Sequence, residues 1–192
     1  AEDMAQAFNA PLVAANISRL LVDLNRSQNH PKLHVEEIRR LPEQQRLAIV
    51  AQYYRPYRDR VERGVKELIA SHGRVLHISC HSFTPELDGE VRNTDIGLLY
   101  DPARKSEAGL CGHWKAALRD RALPLRVRRN YPYRGSGDGL TTWLRTQTQA
   151  SAYIGIELEL NQDFSARNPA SWADLRTTII SALKTAMASA NL

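Results

Sequence analysis

The sequence predicts an α/β sandwich, a central sheet with helices packed against it. Three observations carry that prediction. Apolar runs of strand length alternate with longer stretches of helical period. The chain has 192 residues, which suits a single domain over 1–192. Hydrophobic residues make up 43% and charged residues 24%, the balance of a globular protein with a substantial core.

The elements follow in order. A short helix is expected over 1–9, ended by Pro11. PLVAA and RLLVDL (11–15 and 19–24) read as extended apolar segments, the second leading into Asn25-Arg26. A long helix is predicted from Pro42 to Ser71, with Leu47, Val50, Ala51, Tyr54, Val61, Val65, Leu68 and Ile69 on one face. Gly73 stands where a C-terminal cap belongs. RVLHISC (74–80) reads as a buried strand delivering His81-Ser82 at its carboxyl end. DIGLLYD (95–101) and PLRVRRN (124–130) are further strands, with a helix over 103–121 between them. Asp138 is placed as the cap of a helix reaching Gln149. AYIGIELEL (152–160) is the clearest strand. Ser171 and Asp174 are read as a capping box opening the last helix, whose stripe of Trp172, Leu175, Ile179, Leu183 and Met187 reads as core.

The composition excludes or demotes several function classes. No run approaches the roughly 18 uninterrupted apolar residues of a membrane span. The opening AEDMAQAFNA is acidic and lacks the apolar stretch of a secretory signal. Cys80 and Cys111 are the only cysteines, which excludes a disulfide framework or four-cysteine zinc site and points to reduced, buried thiols in a cytoplasmic protein. A net charge of +5 and a pI near 9.4 suit either nucleic acid or a small dianionic substrate. Arg119, Arg121, Arg126, Arg128, Arg129 and Arg134, with Tyr131 and Tyr133, would serve a nucleic acid. Strand alternation splits those arginines over two faces, and no nucleic-acid motif accompanies them.

Three polar clusters sit where apolar segments end, the positions at which α/β folds gather their sites. In Val22-Asp23-Leu24-Asn25-Arg26, an Arg beside an Asn offers a planar fork for a carboxylate, or simply a turn with an exposed Arg. In His81-Ser82-Phe83-Thr84-Pro85, the imidazole can ligate a metal or shuttle protons, although a lone His is more often structural. His77 shares its face only if the strand runs unbroken. His30 and His34 flank Pro31 and read as surface residues. In Gly155-Ile156-Glu157-Leu158-Glu159-Leu160, alternation puts both glutamates on one face. Buried there, they need a cation, a metal or hydrogen bonds; otherwise that face is solvated.

The order Asp-x-Asn-Arg, His-Ser-aromatic, then Glu-Leu in a late strand resembles zinc carboxypeptidases. A closer resemblance is to the N-formylglutamate amidohydrolase family. It rests on Ser18-Arg19-Leu20 with Asp23-Leu24-Asn25-Arg26, His81-Ser82-Phe83-Thr84-Pro85, Gly89, Arg92-Asn93-Thr94-Asp95-Ile96-Gly97 and Leu99-Tyr100. Pro132-Tyr133-Arg134-Gly135 and Asp138-Gly139 extend it over essentially the whole chain.

That resemblance implies a mixed central sheet in a three-layer, zinc-carboxypeptidase-like sandwich. It also implies hydrolysis of an N-acyl amino acid, above all N-formyl-L-glutamate to formate and L-glutamate. It assigns zinc to His81, a substrate carboxylate to Asn25 and Arg26, and general-base work to Glu159. Glu159 is preferred to Glu157 because Glu159-Leu160-Asn161 is similar to the family's Glu-Leu-Arg-like ending. Arg19, Arg92, Tyr133 and Arg134 are weaker candidates for substrate contact. In that family further ligands, a His and an acidic residue, lie in an amino-terminal segment that this sequence does not contain. A non-catalytic carboxylate-binding domain of the same fold is the alternative. His81 is expected at the carboxyl end of a central strand, facing the same cleft as Glu159.

Overall fold

The computed structural model describes residues 1–121, 123–166 and 169–192. In chain order the elements are α1 (Glu2–Phe8), α2 (Glu36–Arg39), α3 (Glu43–Ile49), a π-helical turn (Val50–Tyr54) and α4 (Arg55–His72). Then come β1 (Val75–Phe83), β2 (Glu86–Leu87), β3 (Glu90–Val91), β4 (Ile96–Leu99), α5 (Lys105–Arg119) and β5 (Val127–Arg129). The chain continues through α6 (Leu140–Gln147), β6 (Tyr153–Asn161), α7 (Asp163–Ala166) and α8 (Pro169–Ser189). Contacts group these residues into two compact units. Unit 1 comprises Ala1–Ala10, Leu76–Gly137 and Ile154–Leu192; unit 2 comprises Pro11–Val75 and Asp138–Tyr153.

The fold is α/β, with a mixed four-stranded sheet in the order β1-β6-β4-β5. β4 runs antiparallel to β6, pairing Gly97 with Glu159 and Leu99 with Glu157, and parallel to β5. Val75 N–H donates to Ala152 O, and Gln162 N–H donates to Phe83 O, so β1 and β6 run in the same direction. One sheet face carries Leu76 and Ile78, Ile154, Ile156 and Leu158, and Ile96 and Leu98 into the core of unit 1. There they meet Leu110, Trp114 and Leu118 of α5 and Leu175, Ile179 and Leu183 of α8. Trp114 is fully buried, and its indole N–H donates to Ile179 O at 3.2 Å. The stripe read from the last helix is core.

In unit 2, α4 turns Val61 and Val65 onto Val75, Leu140, Leu144 and Tyr153. A smaller cluster joins Val22, Leu33, Val50 and Tyr54. Gly73 ends α4 at φ 77°, its N–H bonded to Ile69 O at 2.8 Å.

Several expectations need correction. PLVAA and RLLVDL are not strands: residues 11–24 run as irregular chain and turns, because Asp23 organises a turn there through its carboxylate. The long helix contains a π turn. That extra residue breaks the 3.6-residue phase, which is why Leu47 is 52% exposed while Val61 and Val65 are buried. β1 is an edge strand of this sheet, not a central one, and it continues through His81 to Phe83. Its middle is only half-buried and Cys80 is exposed, although Cys111 is buried as expected. Asp138 does not cap α6; Gly139 precedes that helix and Asp138 bonds elsewhere. Ser171 and Asp174 lie inside α8, which begins at Pro169. The β2–β3 hairpin went unread, although Asp88-Gly89 is a strong turn signal; both adopt positive φ.

Two glycines are fixed by space. A Cβ on Gly97 would lie 2.2 Å from Tyr131 O and 3.2 Å from the Glu159 Cβ; one on Gly135 would lie 2.0 Å from Tyr100 N. The 131–137 loop therefore lies directly on β4, anchored by Asn130 Oδ1, which accepts from Tyr100 N–H and Gly135 N–H. Gly109, in the middle of exposed α5 surface, has nothing within 4 Å. Gly109→Ala is expected to stabilise by about 0.5–1 kcal/mol, the helix-propensity gain. Gly97→Ala is expected to destabilise by about 1–3 kcal/mol, because backbone must move. Urea midpoints of the two variants, moving in opposite directions, check this.

Candidate functional site

Unit 1 brings His81 and Glu159 to one face of the sheet. β1 and β6 are neighbours, and each turns alternate residues into the core: Leu76 and Ile78 on β1, Ile156 and Leu158 on β6. The other register, His77, Ser79 and His81 with Glu157 and Glu159, therefore shares the opposite face. His77 does lie on that face, since β1 runs unbroken. Ser79 Oγ and His81 Nε2 share a hydrogen bond of 2.9 Å, its direction set by the tautomer. Glu157 and Glu159 are 8% and 5% exposed, so this is no solvated face.

The family-like segments of unit 1 converge on Arg92. Its guanidinium lies 5.9 Å from the Phe83 ring and 5.0 Å from the Tyr133 ring, and Nη1 donates to Tyr133 Oη at 2.9 Å. One residue thus ties the His-Ser-Phe, Arg-Asn-x-Asp and Pro-Tyr-x-Gly segments together. Arg134 is exposed and makes no side-chain hydrogen bond among the described residues. Asp95 is architectural. Its carboxylate accepts from Arg126 N–H at 2.7 Å and from Arg126 Nη2 at 2.8 Å, while Asn93 takes a further short bond from Nη1. Those hydrogen bonds, then the Asp95 charge, hold the Arg126 guanidinium above its ordinary pKa.

The basic run is divided accordingly. Arg126 is committed to Asp95, Arg128 lies 3.8 Å from the Tyr131 ring, and Arg129 reaches towards Gly112 of α5.

In unit 2, Asp23 is 8% exposed and organises the turn. Its Oδ2 pairs with Arg19 Nη2 at 2.6 Å and lies 3.8 Å from Arg26 Nε; its Oδ1 accepts from Asn25 N–H at 3.1 Å. Asn25 Oδ1 accepts from Leu140 N–H at 2.8 Å and so caps α6 from 115 residues away. It takes the place expected of Asp138, whose carboxylate receives Ser27 N–H at 3.1 Å. Arg26 Nη1 donates to Asp138 O at 3.3 Å, and its side chain keeps 33% exposure. Tyr54 Oη donates to Arg26 O at 2.8 Å. His34 is not a surface residue: it is 9% exposed and bonds Leu21 O through Nδ1. With His30, Arg39 and Arg46 it lines a cleft of about 310 Å³ that contains no predicted site residue.

Arg58 is the residue that sequence reasoning missed. It is 7% exposed, lies 5.5 Å from the Tyr54 ring and 5.0 Å from the Trp143 ring, and donates from Nη1 to Leu24 O at 3.4 Å. Burial pushes its pKa below the ordinary arginine value, partly offset by Tyr54 and Asp138. A cation–π contact is worth about 0.5–2 kcal/mol, whereas taking an ion out of water costs several. Its present contacts leave that charge under-compensated. An Arg four residues from a Tyr on a helix reads as ordinary surface, so no sequence signal marks it.

Zinc needs more than His81. Catalytic zinc usually takes three protein ligands, and among the described residues no group of three His, Cys, Asp or Glu is arranged to hold a metal. The residues described do not by themselves fit the ion. No helix among them is long and apolar enough to cross a membrane.

The Asn25 cap gives a stability test. Asn25→Ala should cost about 1 kcal/mol, the value of a lost N-cap, lowering Tm by about 2–4 °C for a chain of this size. Asn25→Asp keeps the acceptor and should retain the wild-type Tm. Thermal denaturation of both variants checks the assignment.

No curated protein matches the chain. Among solved structures, a gene product of Agrobacterium tumefaciens is similar at a TM-score of 0.82 and 28% identity, over 98% of this chain and 75% of that one. An N-formylglutamate amidohydrolase from Ralstonia eutropha shares the fold at a TM-score of 0.70 and 18% identity, over 90% of this chain and 74% of that one. The family model for N-formylglutamate amidohydrolase matches residues 1–166. The chain belongs to the N-formylglutamate amidohydrolase family.

Proposed function

We propose that this protein hydrolyses the amide of an N-acyl amino acid, with N-formyl-L-glutamate as substrate and formate and L-glutamate as products. The observation that carries the reading is the pair of buried carboxylates, Glu157 and Glu159, on the same sheet face as His81 in a chain of this family. Two carboxylates are costly to hold away from water unless they serve a cation, a donor or a reaction.

Glu159 is the proposed general base. Its carboxylate takes a proton from the attacking water as oxygen adds to the formyl carbon. The proton is then delivered to the departing nitrogen as the C–N bond breaks. Arg26, with its partly exposed fork, is the proposed carboxylate ligand, and Asn25 holds that turn through the α6 cap. Arg92 and Tyr133 act as one hydrogen-bonded unit, proposed for substrate contact; Arg19, paired with Asp23, supports the turn. Zinc is proposed through His81 as one ligand, and no step above is routed through it. One zinc per chain by elemental analysis, lost in His81→Ala, supports that part; a ratio near zero in the wild type sinks it. A non-catalytic carboxylate-binding domain is the second reading, favoured by the missing three-ligand group among the described residues.

Formate release from N-formyl-L-glutamate tests the main reading. Glu159→Gln should lower turnover by about 10²–10⁴-fold, with circular dichroism unchanged, while Glu157→Gln should retain most of it. Near-native turnover in Glu159→Gln would remove it as the base. Arg26→Lys keeps the charge but loses the fork, and should raise KM by about tenfold with kcat little changed. An unaltered KM would remove Arg26 from carboxylate binding.

A further inference from the structure

Arg58 is a buried charge with no direct ion pair among the described residues. Among the described residues no carboxylate comes within ion-pair distance of it, and its one hydrogen bond is the long contact to Leu24 O. Guanidinium has five N–H donors, arranged in a plane. Aromatic rings meet the faces of such a group and accept none of those donors as a carboxylate would. Tyr54 and Trp143 supply just such rings. A purely structural role at Leu24 O could be filled by a neutral donor without burying a charge.

The position of Arg58 is equally specific. It reaches the carbonyl of Leu24, while Tyr54, against which it lies, reaches the carbonyl of Arg26. Both therefore grip the turn that presents Asn25 and Arg26. Two guanidinium groups bracket one turn in unit 2, and of the two only Arg26 has a carboxylate within ion-pair distance, Asp23 at 3.8 Å; Asp138 acts on Arg58 from further away.

We propose that Arg58 is a specificity-determining residue that receives the second carboxylate of a dicarboxylate ligand, Arg26 receiving the first. The inference rests on the acyl-glutamate reading above, because an acyl glutamate carries two carboxylates and most acyl amino acids carry one. A ligand with a neutral side chain leaves Arg58 buried without its anion, so discrimination follows from the loss of one charge-assisted pair.

Calorimetric titration with glutarate and with its mono-amide, glutaramate, tests this without requiring turnover. The full chain should bind glutarate about 10–100-fold more tightly than glutaramate, the ratio expected for one hydrogen-bonded charge pair. Arg58→Met should collapse that ratio to near unity by weakening glutarate alone, and should keep or raise Tm, since an under-compensated charge is replaced by an apolar chain. Arg58→Lys should restore only part of the ratio, because an ammonium cannot fork. Equal weakening of both ligands in Arg58→Met, or a clear fall in its Tm, would assign Arg58 to packing and overturn the proposal. So would a wild-type protein that fails to distinguish the two ligands. Absence of formate release from N-formyl-L-glutamate would refute the hydrolase reading while leaving the glutarate preference intact, so the two failures are separable.

Discussion

Strand β6 must satisfy two incompatible demands at once, and the structure is arranged around that. One face of it, Ile154, Ile156 and Leu158, needs an apolar partner; the other carries Glu157 and Glu159. Both faces are buried. The apolar demand is met by α5 and α8. The polar demand forces everything on the opposite face to be polar or minimal: Gly97 directly across from Glu159, a backbone carbonyl above Gly97, and the Ser79 and His81 register alongside. A strand with this composition is stable only where both partners are supplied, so the sheet fixes where the carboxylates stand before any ligand arrives.

Family motifs mark residues for two different reasons here. Gly97, Gly135, Asp95 and Asn93 belong to motif segments, yet their contacts are architectural: two close backbone approaches and one ion pair that joins β4 to the start of β5. Asn25 is architectural as well, its side-chain oxygen capping α6, while its neighbour Arg26 keeps a partly exposed fork. A motif match therefore identifies the neighbourhood of a site more securely than the role of each member.

Strong periodicity is what made the fold legible in sequence. The α5 and α8 stripes and the β6 alternation survive because local pattern and tertiary burial agree there. The failures have a common physical origin in long-range pairing. Residues 19–24 are apolar enough for a strand, but Asp23 commits its carboxylate to Arg19 and Asn25 N–H and closes a turn instead. Asp138 has the chemistry of a helix cap, but Asn25, 115 positions before Leu140, takes that place. His81 and Glu159 are expected in one cleft because each stands where an apolar strand run ends, whereas Arg58 is invisible because its environment comes from Trp143 and Leu24, both distant in sequence.

The π turn at Val50–Tyr54 carries a consequence for how this region can vary. A π turn is a helix holding one residue more than its pitch accommodates, and each residue advances the helix by about 100°. Loss of a single residue there would leave a regular, well-bonded helix and cost it little. It would also rotate everything upstream against everything downstream, so that Val50 and Val61 no longer faced their respective clusters together. Val50 and Tyr54 could not then both stay in the cluster with Val22 and Leu33 while Tyr54 kept its bond to the carbonyl of Arg26. Helix length in this stretch is thus a register, and a single-codon deletion would be tolerated by the secondary structure yet refused by the turn it supports.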